Sequence, residues 1–153
     1  AETQSSILEV ETVRAVLDRE GSVHPLWVSY TLADELDDGR ATLRSGEGVG
    51  DAARAAVAAG ASAVLFNCSP PEVMEAAVGE AATAAEVPVG AYANAFVVGE
   101  GGANATLHDL RQDVTPDAYV AFAERWIAAG ARMVGGCCGV GPAHIAALHA
   151  RFA

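Results

Sequence analysis

Apolar positions along the chain fall into two alternating kinds of run. From Ile7 to Leu17, the residues Ile7, Val10, Val13, Ala15, Val16 and Leu17 approach helical spacing with Glu9 and Glu11 between them. That predicts an amphipathic helix, with Ser5-Ser6 available as N-caps and Gly21 as its end. The next run, Leu26-Trp27-Val28-Ser29-Tyr30-Thr31, is short, β-rich and preceded by Pro25, and predicts a strand. Asp37-Asp38-Gly39 and Ser45-Gly46-Glu47-Gly48 then predict a long loop, too polar and glycine-rich for regular structure.

The same alternation continues. A helix is expected from about Val49 to Ala59, stopped by Gly60, and a strand from Ala63 to Cys68. Ser69-Pro70-Pro71-Glu72 has the chemistry of a helix start: Ser69 as N-cap, proline in the first turn, glutamate at the positive end of the dipole. This helix is expected to reach about Ala85, followed by a strand over Pro88–Ala93. A second long loop, Asn94 to Val114, carries Gly99, Gly101 and Gly102. Thr115-Pro116-Asp117 opens a helix to Gly130, Arg132–Gly136 reads as a strand, and Pro142 starts a last helix ending near Phe152. Four strand–helix units in series predict an α/β fold, with a parallel sheet covered by helices. In such sheets chemistry collects where strands end and loops begin. Thr31, Cys68, Asn94 and the pair Cys137-Cys138 all fall there, on one rim.

Composition sharpens this picture in a few places. At 153 residues one domain is expected, and 52% hydrophobic with 6% aromatic residues predicts a core of small aliphatic side chains. Trp27 and Trp126 are assigned to that core. Nine basic against twenty acidic residues give a formal charge of −11, which argues against nucleic-acid binding and against docking on anionic membrane. No apolar run approaches the roughly 18 residues of a membrane span, and the first residues lack the basic and apolar regions of a signal peptide. Three cysteines, two of them adjacent, make a poor disulfide framework and fit a reducing, cytoplasmic setting.

The cysteines are the candidate chemistry. Thiolates favour zinc over magnesium or calcium, and three of them leave a fourth tetrahedral position open, as in catalytic zinc sites. Adjacent cysteines on a strand would face opposite ways, but Gly135, Gly136 and Gly139 give the backbone freedom for both to turn inward. There is no C-x-x-C, so from the residues alone two other readings stay open: buried inert cysteines and a vicinal redox pair. The four histidines are scattered, with His144 read as a surface or capping residue, and Asp37-Asp38 reads as a solvated loop.

Gly135-Gly136-Cys137-Cys138-Gly139, followed by Gly141-Pro142-Ala143-His144-Ile145 and preceded far upstream by Phe66-Asn67-Cys68, resembles the zinc- and homocysteine-dependent methyltransferase family. That family includes betaine–homocysteine and S-methylmethionine–homocysteine methyltransferases and the homocysteine module of cobalamin-dependent methionine synthase. Ala1-Glu2-Thr3 is similar to the family's Glu-Thr at the end of the fourth barrel strand. Asp38-Gly39-Arg40 lies where members carry a similar loop, and Tyr92-Ala93-Asn94-Ala95 resembles their Tyr-Pro-Asn segment, with Ala93 in place of proline and Phe96 where glycine is common. The resemblance implies the C-terminal half of a (β/α)8 barrel, strands five to eight, with residues 1–153 as a single partial domain. It implies zinc held by Cys68, Cys137 and Cys138, the substrate's ammonium group on Glu2, and hydrogen bonds from Asn67 and Asn94. No side chain is assigned as a catalytic acid, base or nucleophile. The reaction implied is methyl transfer to the thiol of homocysteine, giving methionine. The donor would be a small molecule: S-methylmethionine, S-adenosylmethionine, betaine or a methylfolate. A half-barrel would expose strand edges and an apolar sheet face, so a missing N-terminal half or a second copy is the expected partner. The alternative reading is a zinc-binding half-domain without activity of its own, serving assembly.

Overall fold

The computed structural model describes residues 1–97 and 109–153; the glycines expected at 99, 101 and 102, and His108, lie outside the described residues. In order, the elements are α1 (Ile7–Arg19), β1 (Leu26–Tyr30), α2 (Val49–Ala58), β2 (Ala61–Asn67), α3 (Pro71–Ala84), β3 (Val89–Tyr92), α4 (Pro116–Ala128), β4 (Met133–Val134) and α5 (Pro142–Phe152). The strands form one parallel sheet in the order β1-β2-β3-β4, as the alternating pattern predicts. None of the described helices is long and apolar enough to cross a membrane.

Local chemistry starts most helices where the sequence says. Ser6 accepts from the backbone N–H of Glu9 at 3.3 Å, and the Glu9 carboxylate returns to the N–H groups of Ser5 and Ser6, a complete capping box for α1. Thr115 accepts from Ala118 N–H at 3.2 Å ahead of Pro116 at the start of α4. Helix α3 differs. Pro70, not Ser69, stands at its N-cap, and the Ser69 side chain turns inward to tie neighbouring strand ends together.

Strand alternation divides the sheet into two faces. Val28, Tyr30, Val64, Phe66, Val89 and Ala91 lie in register, all buried, on the face that α1 to α4 cover. Tyr30 shows the direction, since its hydroxyl donates to Ala52 O of α2 at 3.0 Å. Their sequence neighbours Trp27, Ser29, Leu65, Gly90 and Met133 lie on the other face. Trp27 is therefore not a core residue as expected: it is 54% exposed, whereas Trp126 is fully buried with its indole N–H on Pro71 O at 3.2 Å. Both are large apolar side chains. Only register says which face each takes.

Two further segments complete the frame. Residues 1–4 run parallel to β1 at the sheet's edge, through Ser29 N to Ala1 O at 2.8 Å, Gln4 N to Ser29 O at 2.9 Å and Thr31 N to Gln4 O at 2.9 Å. The segment 32–48, expected to lack regular structure, is folded back on itself with antiparallel bridges Leu32↔Leu43, Asp37↔Arg40 and Thr42↔Gly48. Its apolar residues Leu32, Ala41 and Leu43 explain the order, because all three are buried in the core.

Candidate metal centre

Cys68 follows β2 directly and sits in the left-handed region, φ +51°, where a β-carbon is disfavoured. The turn is held from behind by Ser69. Its hydroxyl accepts from Leu32 N–H at 2.8 Å, donates to Asn67 O at 2.9 Å, and lies 3.3 Å from Thr31 Oγ1. The end of β1 is thereby fixed to the end of β2, with the cysteine between them and the loop that β3 leads into.

Cys137 and Cys138 lie beyond β4, which is two residues long rather than five, so neither cysteine obeys strand alternation. Cys137 N–H donates to Ala93 O at 3.0 Å, Ala95 N–H donates to Cys138 O at 2.8 Å, and Val140 N–H closes on Cys137 O at 3.1 Å. Glycine is required on both sides of the pair. A β-carbon on Gly136 would meet Val140 Cγ1 at 2.1 Å, and Gly139, at φ +79°, would meet Leu110 Cδ2 at 2.8 Å and Ala95 C at 3.2 Å.

The result is convergence of residues 69 and 70 positions apart. Cys68 Sγ is 3.3 Å from Cys137 Sγ and 3.9 Å from Cys138 Sγ, and the latter two are 3.8 Å apart. A tetrahedral zinc with Zn–S bonds of ~2.3 Å needs sulfurs ~3.8 Å apart, so the donor set fits that ion in chemistry and in two of its three spacings, with Cys68 and Cys137 standing closer. Burial pushes the Cys68 thiol up to about 12, reinforced by hydrogen bonding to Cys137 and by the neighbouring sulfur charges. Burial, then the charge of Cys137, also raises Cys138. Burial and crowding thus favour the thiol forms of Cys68 and Cys138 until a cation offsets the charge.

A polar layer lies beside the sulfurs on the uncovered face. Asn67 is buried, its Oδ1 accepting from Ser29 Oγ at 2.8 Å and its Nδ2 donating to Thr3 Oγ1 at 2.8 Å. Both ends of that amide are engaged by the protein. Glu2 is exposed, and its Oε1 accepts from the Tyr92 hydroxyl at 3.0 Å. Burial raises the Tyr92 phenol to about 12; a hydrogen bond with Ser29 opposes the shift, while the bond to Glu2 and its charge add to it. Asn94 is half-buried and held by its own N–H on Ser69 O at 3.1 Å. All six residues singled out in the sequence therefore belong to one rim. Ser29, Ser69 and Tyr92 join them there. Ser29 and Ser69 had no motif signal beyond their place at strand ends. His144 is a capping residue, its Nδ1 accepting from Gly141 N–H at 3.2 Å at the start of α5.

With this geometry in hand, the likenesses are specific. The family model described as "Homocysteine S-methyltransferase" matches residues 1–152. The selenocysteine Se-methyltransferase of Brassica oleracea var. italica is 28% identical over 152 residues, which cover 99% of this chain and 42% of the relative. Homocysteine S-methyltransferase 1 of Zea mays is 28% identical over 142 residues, 92% of this chain and 42% of the relative. Among solved structures, the homocysteine methyltransferase MmuM from Escherichia coli superposes in its apo form with a TM-score of 0.72 at 26% identity. That match covers 98% of this chain and 48% of MmuM. The metallated form gives a TM-score of 0.68 at 25% identity, covering 98% and 44%. The chain thus spans less than half the length of these relatives, and its sheet corresponds to part of a TIM-barrel fold. The chain belongs to the homocysteine S-methyltransferase family.

Proposed function

We propose that this chain carries the metal end of the active site of a homocysteine S-methyltransferase. Zinc would be held by Cys68, Cys137 and Cys138, and the acceptor would be the thiol of homocysteine, converted to methionine. The single observation that carries the reading is the convergence of the three sulfurs at 3.3 to 3.9 Å at the ends of the strands. When bound, zinc supplies a cation that offsets the thiolates and lowers the pKa of a coordinated thiol, leaving it nucleophilic near neutral pH.

The chain's own residues would do the rest. Glu2, exposed and fixed by Tyr92, offers a carboxylate to the substrate ammonium group. Asn67 acts indirectly, because its amide is committed to Ser29 and Thr3 and so holds Thr3, next to Glu2, against the sheet. Asn94 lines the rim between Ser69 and the cysteines. In the transfer, a new sulfur–methyl bond forms as the donor's bond to that methyl breaks; the electron pair leaves with the donor, and the thiol proton passes to solvent. A reducing, cytoplasmic setting belongs to the same reading, because an odd number of cysteines with two adjacent suits metal ligation better than a disulfide framework. The donor's pocket and the wall opposite the cysteines would come from the rest of a barrel, supplied by further sequence or by a partner half.

The test is metal analysis followed by product analysis on the intact protein. One zinc per site and methionine formed from homocysteine with at least one of the methyl donors is the expected outcome. Zinc binding without methyl transfer from any donor would leave the assembly reading in its place. The likeness to a selenocysteine Se-methyltransferase supports a second acceptor on the same site, a selenol. Comparing kcat/KM for homocysteine and selenocysteine separates the two.

A further inference from the structure

On the helix-covered side of the sheet, directly behind the cysteine loop, Tyr119 of α4 is fully buried. Its single hydroxyl proton is shared between Gly135 O at 2.8 Å and Ala93 O at 3.1 Å, a bifurcated bond between the chain beyond β4 and the chain beyond β3. Ala93 O is also the acceptor for Cys137 N–H at 3.0 Å. One carbonyl, with its two lone pairs, therefore joins the tyrosine to a sulfur-bearing residue.

The ring has little freedom to move. Trp126 meets it edge to face at 5.5 Å and 87°, and His144 at 5.8 Å and 85°. Because His144 Nδ1 accepts from Gly141 N–H, its proton sits on Nε2 and is donated to Val114 O at 2.9 Å. That imidazole fastens the segment ahead of α4 to the start of α5, immediately after the cysteine loop. Backbone bonds already join the two chains here, Gly135 N–H to Ala91 O at 3.1 Å and Cys137 N–H to Ala93 O at 3.0 Å, and the tyrosine adds a side-chain bond beside them. The β3–β4 ladder has only two registered pairs, Gly90↔Met133 and Ala91↔Val134, and two glycines follow it.

We propose that Tyr119 is a positioning residue for the metal centre: its hydroxyl holds the ends of β3 and β4 at the spacing that brings Cys137 against Cys68. The inference rests on the zinc reading given above. Tyr30 supplies a matched control, since it is equally buried and its hydroxyl also donates to a backbone carbonyl, Ala52 O, at 3.0 Å. That bond joins β1 to α2 and does not lead to a cysteine.

The experiment compares Tyr119→Phe with Tyr30→Phe in the intact protein, using zinc competition titration and the absorption of the Co2+-loaded form. Loss of a group supporting a metal ligand costs about 10–100-fold in metal affinity, so Tyr119→Phe is expected to weaken zinc at least tenfold and to shift the cobalt bands. Tyr30→Phe is expected to match wild type in both. Placing 3-fluorotyrosine at position 119 keeps the hydroxyl and is expected to retain zinc within about twofold, well inside that range. Equal weakening in both phenylalanine variants, wild-type affinity in Tyr119→Phe, or a tenfold loss with 3-fluorotyrosine would each overturn the assignment. Should wild type itself bind no zinc, the metal reading fails first and takes this inference with it.

Discussion

Along β2, Val64 and Phe66 face the helices and are fully buried, whereas Leu65, between them, stands half-buried on the opposite face. The contrast extends across the sheet. The helix-covered face is a continuous apolar layer reaching into Met74, Tyr119 and Trp126. The other face has a polar rim of Ser29, Asn67, Tyr92, Thr3 and Glu2, with Leu65, Met133 and the exposed Trp27 farther along the strands. A barrel interior is layered in this way, with side chains of alternate strands stacked below a functional rim. Most of the stability and most of the chemistry are thus carried by opposite faces of the same four strands; away from Tyr119 and Ser69, which join the two, each should be damaged without the other.

The strongest break in that separation comes at the rim. Cys137→Ala removes a sulfur that lies 3.3 Å and 3.8 Å from the other two. Zinc content is expected to fall to background and methyl transfer with it. The side chain is only partly buried, so the melting temperature of the metal-free protein should change little. Metal analysis beside a thermal melt reads both; a large loss of metal-free stability would mean the cysteines are core residues after all.

On the covered face the expectation reverses. Phe66→Ala empties a fully buried aromatic position and is expected to cost about 3–5 kcal/mol, read by denaturant unfolding. Zinc bound per folded molecule should stay at the wild-type ratio, although Phe66 is only two residues from Cys68. Loss of zinc in molecules that remain folded would show that the two faces are not separable.

Much of this layout was legible in the chain, and the exceptions have physical reasons. Helix starts could be read because caps are local: Ser6 with Glu9, and Thr115 with Pro116, need nothing from the rest of the fold. The cysteine rim could be read because strand ends and glycines marked it. Ser69 misled, since serine before prolines has the same local chemistry whether it caps a helix or bonds to a distant strand. Its partner Leu32 N–H is 37 residues away. Trp27 misled for a related reason, because alternation tells which residues share a face but not whether that face is covered. The bonds of Tyr119 to Ala93 and Gly135 depend on the register of α4 against two strand ends, which no sequence pattern encodes.

Ser69 tests the junction between the faces, with an intermediate effect. In Ser69→Ala, the buried Leu32 N–H loses its acceptor, a loss of about 1–3 kcal/mol. Because the same hydroxyl braces the turn that carries Cys68, zinc affinity is expected to drop as well, in contrast to Phe66→Ala. Isothermal titration alongside unfolding distinguishes them: stability loss with unchanged zinc affinity would reduce Ser69 to a core hydrogen bond.

The smallest effect is expected at Trp27, and it bears most directly on the uncovered face. Fully burying a large apolar side chain is what makes its removal cost several kcal/mol, and Trp27 keeps 54% of its surface in contact with solvent. With about half of its surface already in solvent, its removal opens the site to water rather than leaving a closed cavity. Trp27→Ser in this 153-residue chain is therefore expected to lower stability by only about 1 kcal/mol, within the ordinary range for a partly exposed site. The same substitution in an assembly where the face is covered by further barrel strands should cost as much as Phe66→Ala, because the indole would then be core. Measuring both by denaturant unfolding turns one residue into a gauge of closure. Equal, small costs in the two settings would mean that the apolar side chains of this face stay in water, and that the barrel interior is not where Trp27 belongs.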